Sequence, residues 1–207
     1  MAKAAGVTTP AGGAATTPCR ANPPLAFTLR KLDTRHPYLL DDRRLRPETI
    51  DHFGLGVYTG PGIMTGRAVI PIHNIQGELV AYAGRWPGEP PEGEPKYRFP
   101  RRFRKSLVLF NLHRARAHTG AGLIVVEGFF SVFDLWQQGR QNVVAAMGWA
   151  LSLEQKQLLV QTVGPGGSVL LAFDADAAGR RGTRHAVEQL GSEVFVRTAV
   201  LREKGGA

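Results

Sequence analysis

The spacing of apolar and polar positions changes character near residue 120. Before it, apolar runs are short. Ala68–His73 and Glu78–Ala83 read as two strands joined by Asn74-Ile75-Gln76-Gly77, a hairpin. Pro71 has no N–H to give a ladder and is expected at a sheet edge. Pro47-Glu48-Thr49-Ile50-Asp51-His52-Phe53-Gly54 opens on proline and closes on glycine, as a short helix does. After residue 120 the rhythm is regular. Leu123–Val126 is an apolar run too short for a helix, and Phe129–Gln138 follows at helical period with Phe129, Phe130, Phe133 and Trp136 on one core-facing side. A strand (Asn142–Ala146), a helix (Ser152–Val163), a strand (Ser168–Phe173), a helix (Ala178–Leu190) and a strand (Glu193–Val200) complete the pattern. Strands alternating with helices predict crossover units and a mainly parallel sheet, hence an α/β fold.

Gly and Pro cluster in two places. Ala5–Pro24 is Gly, Ala, Thr and Pro with few large apolar side chains, and Pro87–Pro95 holds four Pro and three Glu. The first reads as a flexible leader (1–24) and the second as an exposed loop, while the change of rhythm separates a smaller basic α+β subdomain (25–118) from an α/β domain (119–207) with a four-stranded, mainly parallel sheet.

Composition narrows the function classes. At 207 residues and 43% hydrophobic, the chain can build a real core. Cys19 is its one cysteine, so an internal disulfide and a cysteine-based zinc site are excluded. No apolar run approaches the ~18 residues of a membrane span, and no apolar stretch follows Lys3 as in a secretory signal. A cytoplasmic protein with no membrane partner is expected. The six histidines, His36, His52, His73, His113, His118 and His185, are scattered without zinc-enzyme spacing and are expected mostly at the surface.

Charge adds a positive clue. The net charge is +9, with 18 Lys/Arg against 9 Asp/Glu in residues 1–118 and 8 against 8 thereafter. A one-sided basic field favours a polyanion such as nucleic acid, although solubility alone is the plainer reading. Lys96, Arg98, Arg101, Arg102, Arg104 and Lys105 lie within ten positions, interleaved with Tyr97, Phe99 and Phe103, and no acid occurs between Glu94 and Glu127. Cations that track phosphates and aromatics that stack bases suit a single strand. The alternative is that the aromatics anchor the core and the arginines form a solvated face.

Ligands of open parallel sheets collect beyond the carboxyl ends of the strands. There, Glu127-Gly128 follows one strand, and Asp174 and Asp176 follow another just before a helix. If the two strands are neighbours, three carboxylates converge at one edge, a donor set suited to Mg²⁺. Asp176 could equally be a helix cap, and Glu127 a favourable charge at a helix start.

Three segments together carry a family resemblance. Val125-Val126-Glu127-Gly128-Phe129-Phe130, Asn142-Val143-Val144-Ala145-Ala146-Met147-Gly148 and Phe173-Asp174-Ala175-Asp176-Ala177-Ala178-Gly179 resemble the Toprim domain of bacterial DnaG-type DNA primases. Upstream, Arg67-Ala68-Val69-Ile70-Pro71-Ile72, Ala83-Gly84-Arg85, Lys96-Tyr97, Lys105 and Leu109-Phe110-Asn111-Leu112 are similar to the basic subdomain that precedes Toprim in primases. The resemblance implies synthesis of short RNA primers on single-stranded DNA from ribonucleoside triphosphates. It implies catalysis by Mg²⁺ or Mn²⁺ at Glu127, Asp174 and Asp176, with Glu127 also a general base. Arg67, Arg85, Lys96, Tyr97 and Lys105 would hold template or nucleotide. Three departures stand beside it. Ser131 replaces the family's Asp four residues after the glutamate, Glu203 is the only acid after the last strand, and with Cys19 alone the family's zinc-binding domain is expected to be missing from this sequence. A separate zinc-binding module or a replicative helicase is therefore an expected further partner, and a mobile element or phage an expected setting. A non-catalytic DNA-binding remnant and a Toprim nuclease are the rival readings.

Overall fold

The computed structural model describes residues 21–201. Most of the expected leader, including Cys19, and the last six residues, including Glu203, lie outside the described residues. Five short antiparallel strands form the first sheet in chain order: β1 (Leu32–Asp33), β2 (Gly56–Tyr58), β3 (Ala68–His73), β4 (Leu79–Arg85) and β5 (Tyr97–Arg98). Helix α1 (Pro47–Phe53) precedes β2, with proline at its first position and Gly54 at φ 64° closing it. That left-handed closure suits glycine, which has no Cβ to clash.

The hairpin forms between β3 and β4. Asn74 Oδ1 accepts the N–H groups of Gln76 and Glu78, and Gly77 takes φ 87°. Pro71 needs a correction. Its strand is third of five and not an edge strand, but β2 pairs only with Ala68 and Val69, so the chain beyond them has a neighbour on one side alone. A proline is tolerated there because a ladder is missing on that side.

The second sheet is wholly parallel, in the order β7-β6-β8-β9, from β6 (Leu123–Val126), β7 (Val143–Ala145), β8 (Ser168–Asp174) and β9 (Phe195–Leu201). A single turn, α2 (Leu112–Ala115), leads into it, and α3 (Phe129–Gln137), α4 (Leu153–Val163) and α5 (Ala177–Leu190) make the crossovers. Ser152 caps α4 by accepting the Gln155 N–H while Gln155 returns a bond to the Ser152 backbone. Asp176 caps α5 through the Gly179 N–H at 2.7 Å. Each capping contact contributes about 1 kcal/mol.

One core joins the two sheets. Ile70, Ala81 and Ala83 of the first pack in the same buried cluster as Val126, Phe129, Phe133 and Ala145 around the second. Burying each large apolar side chain of this kind contributes roughly 1.5–3 kcal/mol. Phe130 and Trp136 pack on this cluster from its margin, so the aromatic side of α3 is core as its period implies. Phe110 exchanges two backbone hydrogen bonds with Ala145 at 2.9 and 3.1 Å, fastening the connecting segment to the edge of β7. Among the described residues no helix is long and apolar enough to cross a membrane.

Candidate active site

Strands β6 and β8 are neighbours in register, Val125 opposite Leu171, so their carboxyl ends coincide. That adjacency brings Glu127 to Asp174: Glu127 Oε1 accepts the Asp174 backbone N–H at 3.1 Å. Burial pushes the Glu127 carboxyl above the usual carboxylate range; the Asp174 N–H opposes this, and the negative charges of Asp174 and Asp176 add to it. Asp174 and Asp176 are exposed, and Asp176 spends Oδ1 on the cap of α5.

Helix α5 approaches this end of the sheet through a glycine. A Cβ placed on Gly179 would stand 2.1 Å from the Asp174 carbonyl oxygen and 2.7 Å from Glu127 Oε1. Gly182, three residues on and on the same helix face, leaves room for the Trp149 carbonyl oxygen, which a Cβ would meet at 1.8 Å. Two glycines at that spacing were the available sequence signal for this close approach.

The basic residues divide into buried and exposed. Arg67 is 1% exposed: its guanidinium pairs with Glu94 at 2.5 Å, donates to the Pro95 carbonyl at 2.9 Å and lies over the Trp86 ring. It therefore secures the chain leading into β5. Arg85, 9% exposed, donates to the Tyr38 hydroxyl and lies over the rings of Tyr97 and Phe130. Burial raises the pKa of the Tyr97 phenol, and the Arg85 guanidinium beside it opposes that shift. Tyr38 and Arg43, which bracket Phe130 with Arg85, carry no sequence signal. Lys96 is exposed, as are Arg101, Arg102, Arg104 and Lys105.

The interleaved aromatics form a half-buried row. Tyr97 stacks on Phe99 and Phe99 on Phe103, with centroids 6.4 and 5.9 Å apart, and both Tyr97 and Phe99 abut Phe129 at the start of α3. Lys105 lies over Phe99 at 5.3 Å and donates from Nζ to the Met147 carbonyl at 3.3 Å, just past the end of β7. The row thus runs into the same sheet end that bears Glu127. Two buried amides hold it: Gln155 Nε2 donates to the carbonyls of Lys105, Val108 and Ala146, and Asn22 exchanges two hydrogen bonds with the backbone of Arg104.

Comparison with known proteins agrees with this geometry. Residues 124–206 match the Toprim-like family model. A DNA primase of Synechococcus elongatus is 36% identical over 183 residues, and one of a Synechocystis strain is 32% identical over 180. The chain is a relative of the bacterial DNA primases and carries a Toprim-like domain. Each alignment takes in 82% of this chain but only 26% and 28% of the respective primase, so the chain spans about a quarter of their length. The crystal structure of the zinc-binding and RNA polymerase domains of Aquifex aeolicus primase superposes with a TM-score of 0.68 at 28% identity, over 81% of this chain and 49% of that one.

Two of the histidines meet in the fold. His52, His118 and His185 are exposed, whereas His73 and His113 lie against each other. The fold brings their rings to 4.8 Å, half-buried, with both Nδ1 atoms buried and unpartnered. They lie on β3 and α2, forty residues apart, a distance no local spacing rule covers.

Proposed function

We propose that this chain is the catalytic core of a DNA primase-like nucleotidyltransferase, joining ribonucleoside triphosphates into a short RNA on a single-stranded DNA template. The observation that carries this reading is the meeting of the Lys96–Lys105 row with the Glu127–Asp174 pair at one sheet end. A strand of phosphates and bases on that row leads to the carboxylates. The kinship with DNA primases supports the reaction class.

A divalent cation, Mg²⁺ or Mn²⁺, fits this donor set. Glu127 and Asp174 would hold it, with Asp176 contributing the oxygen its cap leaves over. Among the described residues no three His, Cys, Asp or Glu side chains form a closed cage, and Mg²⁺ commonly uses one or two carboxylates with water and substrate phosphate. When bound, the cation supplies charge neutralisation at the reacting phosphoryl group. The chain's own residues do the rest. Lys96 and Lys105 attract phosphate, Tyr97 supports the aromatic row from its half-buried end, Arg85 keeps Tyr97 in place and Arg67 anchors the segment that carries Lys96 and Tyr97. Glu127, whose carboxyl burial raises above the usual carboxylate range, would be the group to take a proton from an attacking hydroxyl. A replicative helicase and a separate zinc-binding module are partners in this reading.

De novo primer synthesis tests it, using labelled ribonucleotides, single-stranded DNA and Mg²⁺ or Mn²⁺. Short products that vanish in Glu127→Gln and Asp174→Asn are expected. No product from any of the three proteins, with strand binding retained, would leave a binding module. Shortening of the DNA instead would make it a nuclease.

A further inference from the structure

Past β7 the chain turns sharply, Met147 at φ 60°, and exposes half of the Trp149 side chain. Burying an indole is strongly favourable, so a half-exposed tryptophan at the mouth of a site has a use to be found. Its surroundings specify what it meets. The Arg181 guanidinium lies 6.0 Å from the ring centroid, and Arg180, Arg181 and Arg184 are all exposed on α5. No acid lies between Asp176 and Glu188, so this turn of helix is purely cationic along the sequence. An exposed aromatic face with a guanidinium beside it, on a helix stretch without acids, suits a base with its phosphate.

Position strengthens the case. Gly179 faces Glu127 and Asp174, and Gly182 faces the Trp149 carbonyl on the same side of α5. At 1.5 Å of rise per residue the two contacts are about 4.5 Å apart along the helix, less than the length of one nucleotide. On the other side, Lys105 Nζ bonds the Met147 carbonyl, so the row reaches the segment that carries Trp149 two residues further on. Ser152 Oγ donates to the Ser106 carbonyl at 2.6 Å, tying the end of the row to the start of α4 just beyond Trp149.

We propose that Trp149 is the terminal stacking platform of the single-strand path: a nucleobase of the bound DNA lies on the indole, and Arg181 takes an adjacent phosphate. This rests on the primase-like reading for the identity of the strand, and adds a residue that fixes where the strand lies against the carboxylates. The Trp149 side chain is half exposed and belongs to none of the buried clusters among the described residues, so a change of its ring should have little effect on folding.

Binding of labelled oligothymidine and of an abasic strand of equal length is measured for the full chain, Trp149→Phe and Trp149→Ala. Loss of one stacked base weakens binding on the order of tenfold, so Trp149→Ala should lose about tenfold on oligothymidine and Trp149→Phe only about twofold. All three proteins should bind the abasic strand alike. The chain has three tryptophans, with Trp86 under Arg67 and Trp136 stacked on His52, so fluorescence quenching by oligothymidine should be largely lost in Trp149→Phe. Equal affinity of Trp149→Ala and the parent for oligothymidine would overturn the proposal, as would an equal loss on the abasic strand. Absent primer synthesis beside base-dependent binding through Trp149 would sink the catalytic reading and leave the platform standing.

Discussion

The side chain of Glu127 receives the backbone N–H of Asp174, so the ends of two neighbouring strands are locked together by one of the carboxylates proposed for catalysis. The bond holds Glu127 in place, while burial and the nearby Asp174 and Asp176 charges make its ionisation unfavourable. A carboxyl whose folded pKa is raised binds its proton more tightly in the native state, so stability falls as pH rises from the unfolded pKa through the folded one.

Glu127→Gln removes that cost and keeps the accepting oxygen. In metal-free buffer at neutral pH the variant should melt above the parent, with the difference disappearing toward pH 4, a little below the ordinary glutamate value. Primer synthesis should fall by about 10²–10⁴-fold, the range for loss of a positioned acid–base group. A variant no more stable than the parent, measured by calorimetry across that pH range, would contradict the burial argument.

Gly179→Ala tests the close approach of α5. Alanine favours a helix by up to about 1 kcal/mol over glycine, yet its methyl would stand 2.1 Å from the Asp174 carbonyl. Overpacking of this kind costs about 1–3 kcal/mol. Thermal unfolding should show a lower Tm. Crystallography should show α5 shifted away from Glu127, and primer synthesis should drop more than stability does.

Gln155→Leu tests the amide that binds the basic row to the parallel sheet. Its Nε2 serves three carbonyls, and Gln155 is 2% exposed. Leucine fills much of the volume and leaves the Val108 and Ala146 carbonyls unpaired, while the Lys105 carbonyl keeps the Val108 N–H, at about 1–3 kcal/mol for each buried group left unsatisfied. Denaturant titration should give a lower midpoint at unchanged m, with the unfolding free energy reduced by at least about 1–3 kcal/mol. Weaker strand binding should accompany it, since Lys105 is no longer held from behind.

The His73–His113 pair predicts an acid limb of stability. Burial, with Arg114 close by and His73 facing it, pushes the His113 imidazole down to about 3, and His73 is also lowered by burial and Arg114. Unfolded histidine titrates near 6.5, so between about 6.5 and 3 the unfolded chain takes up a proton the native state refuses, and stability falls as pH drops through that window. Replacing His113 with leucine should flatten the fall in Tm between pH 7 and 5. An unchanged slope would show that the pair is not its source.

Much of this protein was written in local pattern. The proline and glycine that bound α1, the Ser152 cap and the alternation of strands and helices after residue 120 act within a few residues, where side-chain sterics and local hydrogen bonds decide the backbone. Glu127 and Asp174 were legible as candidates because each follows an apolar strand directly. Whether they meet was not, since strand order depends on how crossovers pack, and only the β7-β6-β8-β9 order sets them side by side. The same limit hid the burial of Arg67, whose partner Glu94 lies 27 residues away, and the pairing of His73 with His113. Charge and aromatic spacing identified the Lys96–Lys105 row, but its direction toward the carboxylates follows from the Lys105–Met147 contact and the packing of Tyr97 and Phe99 on Phe129. Sequence determined which groups could do chemistry; long-range packing decided which of them share a site, because a shared core and sheet register act between residues far apart in the chain.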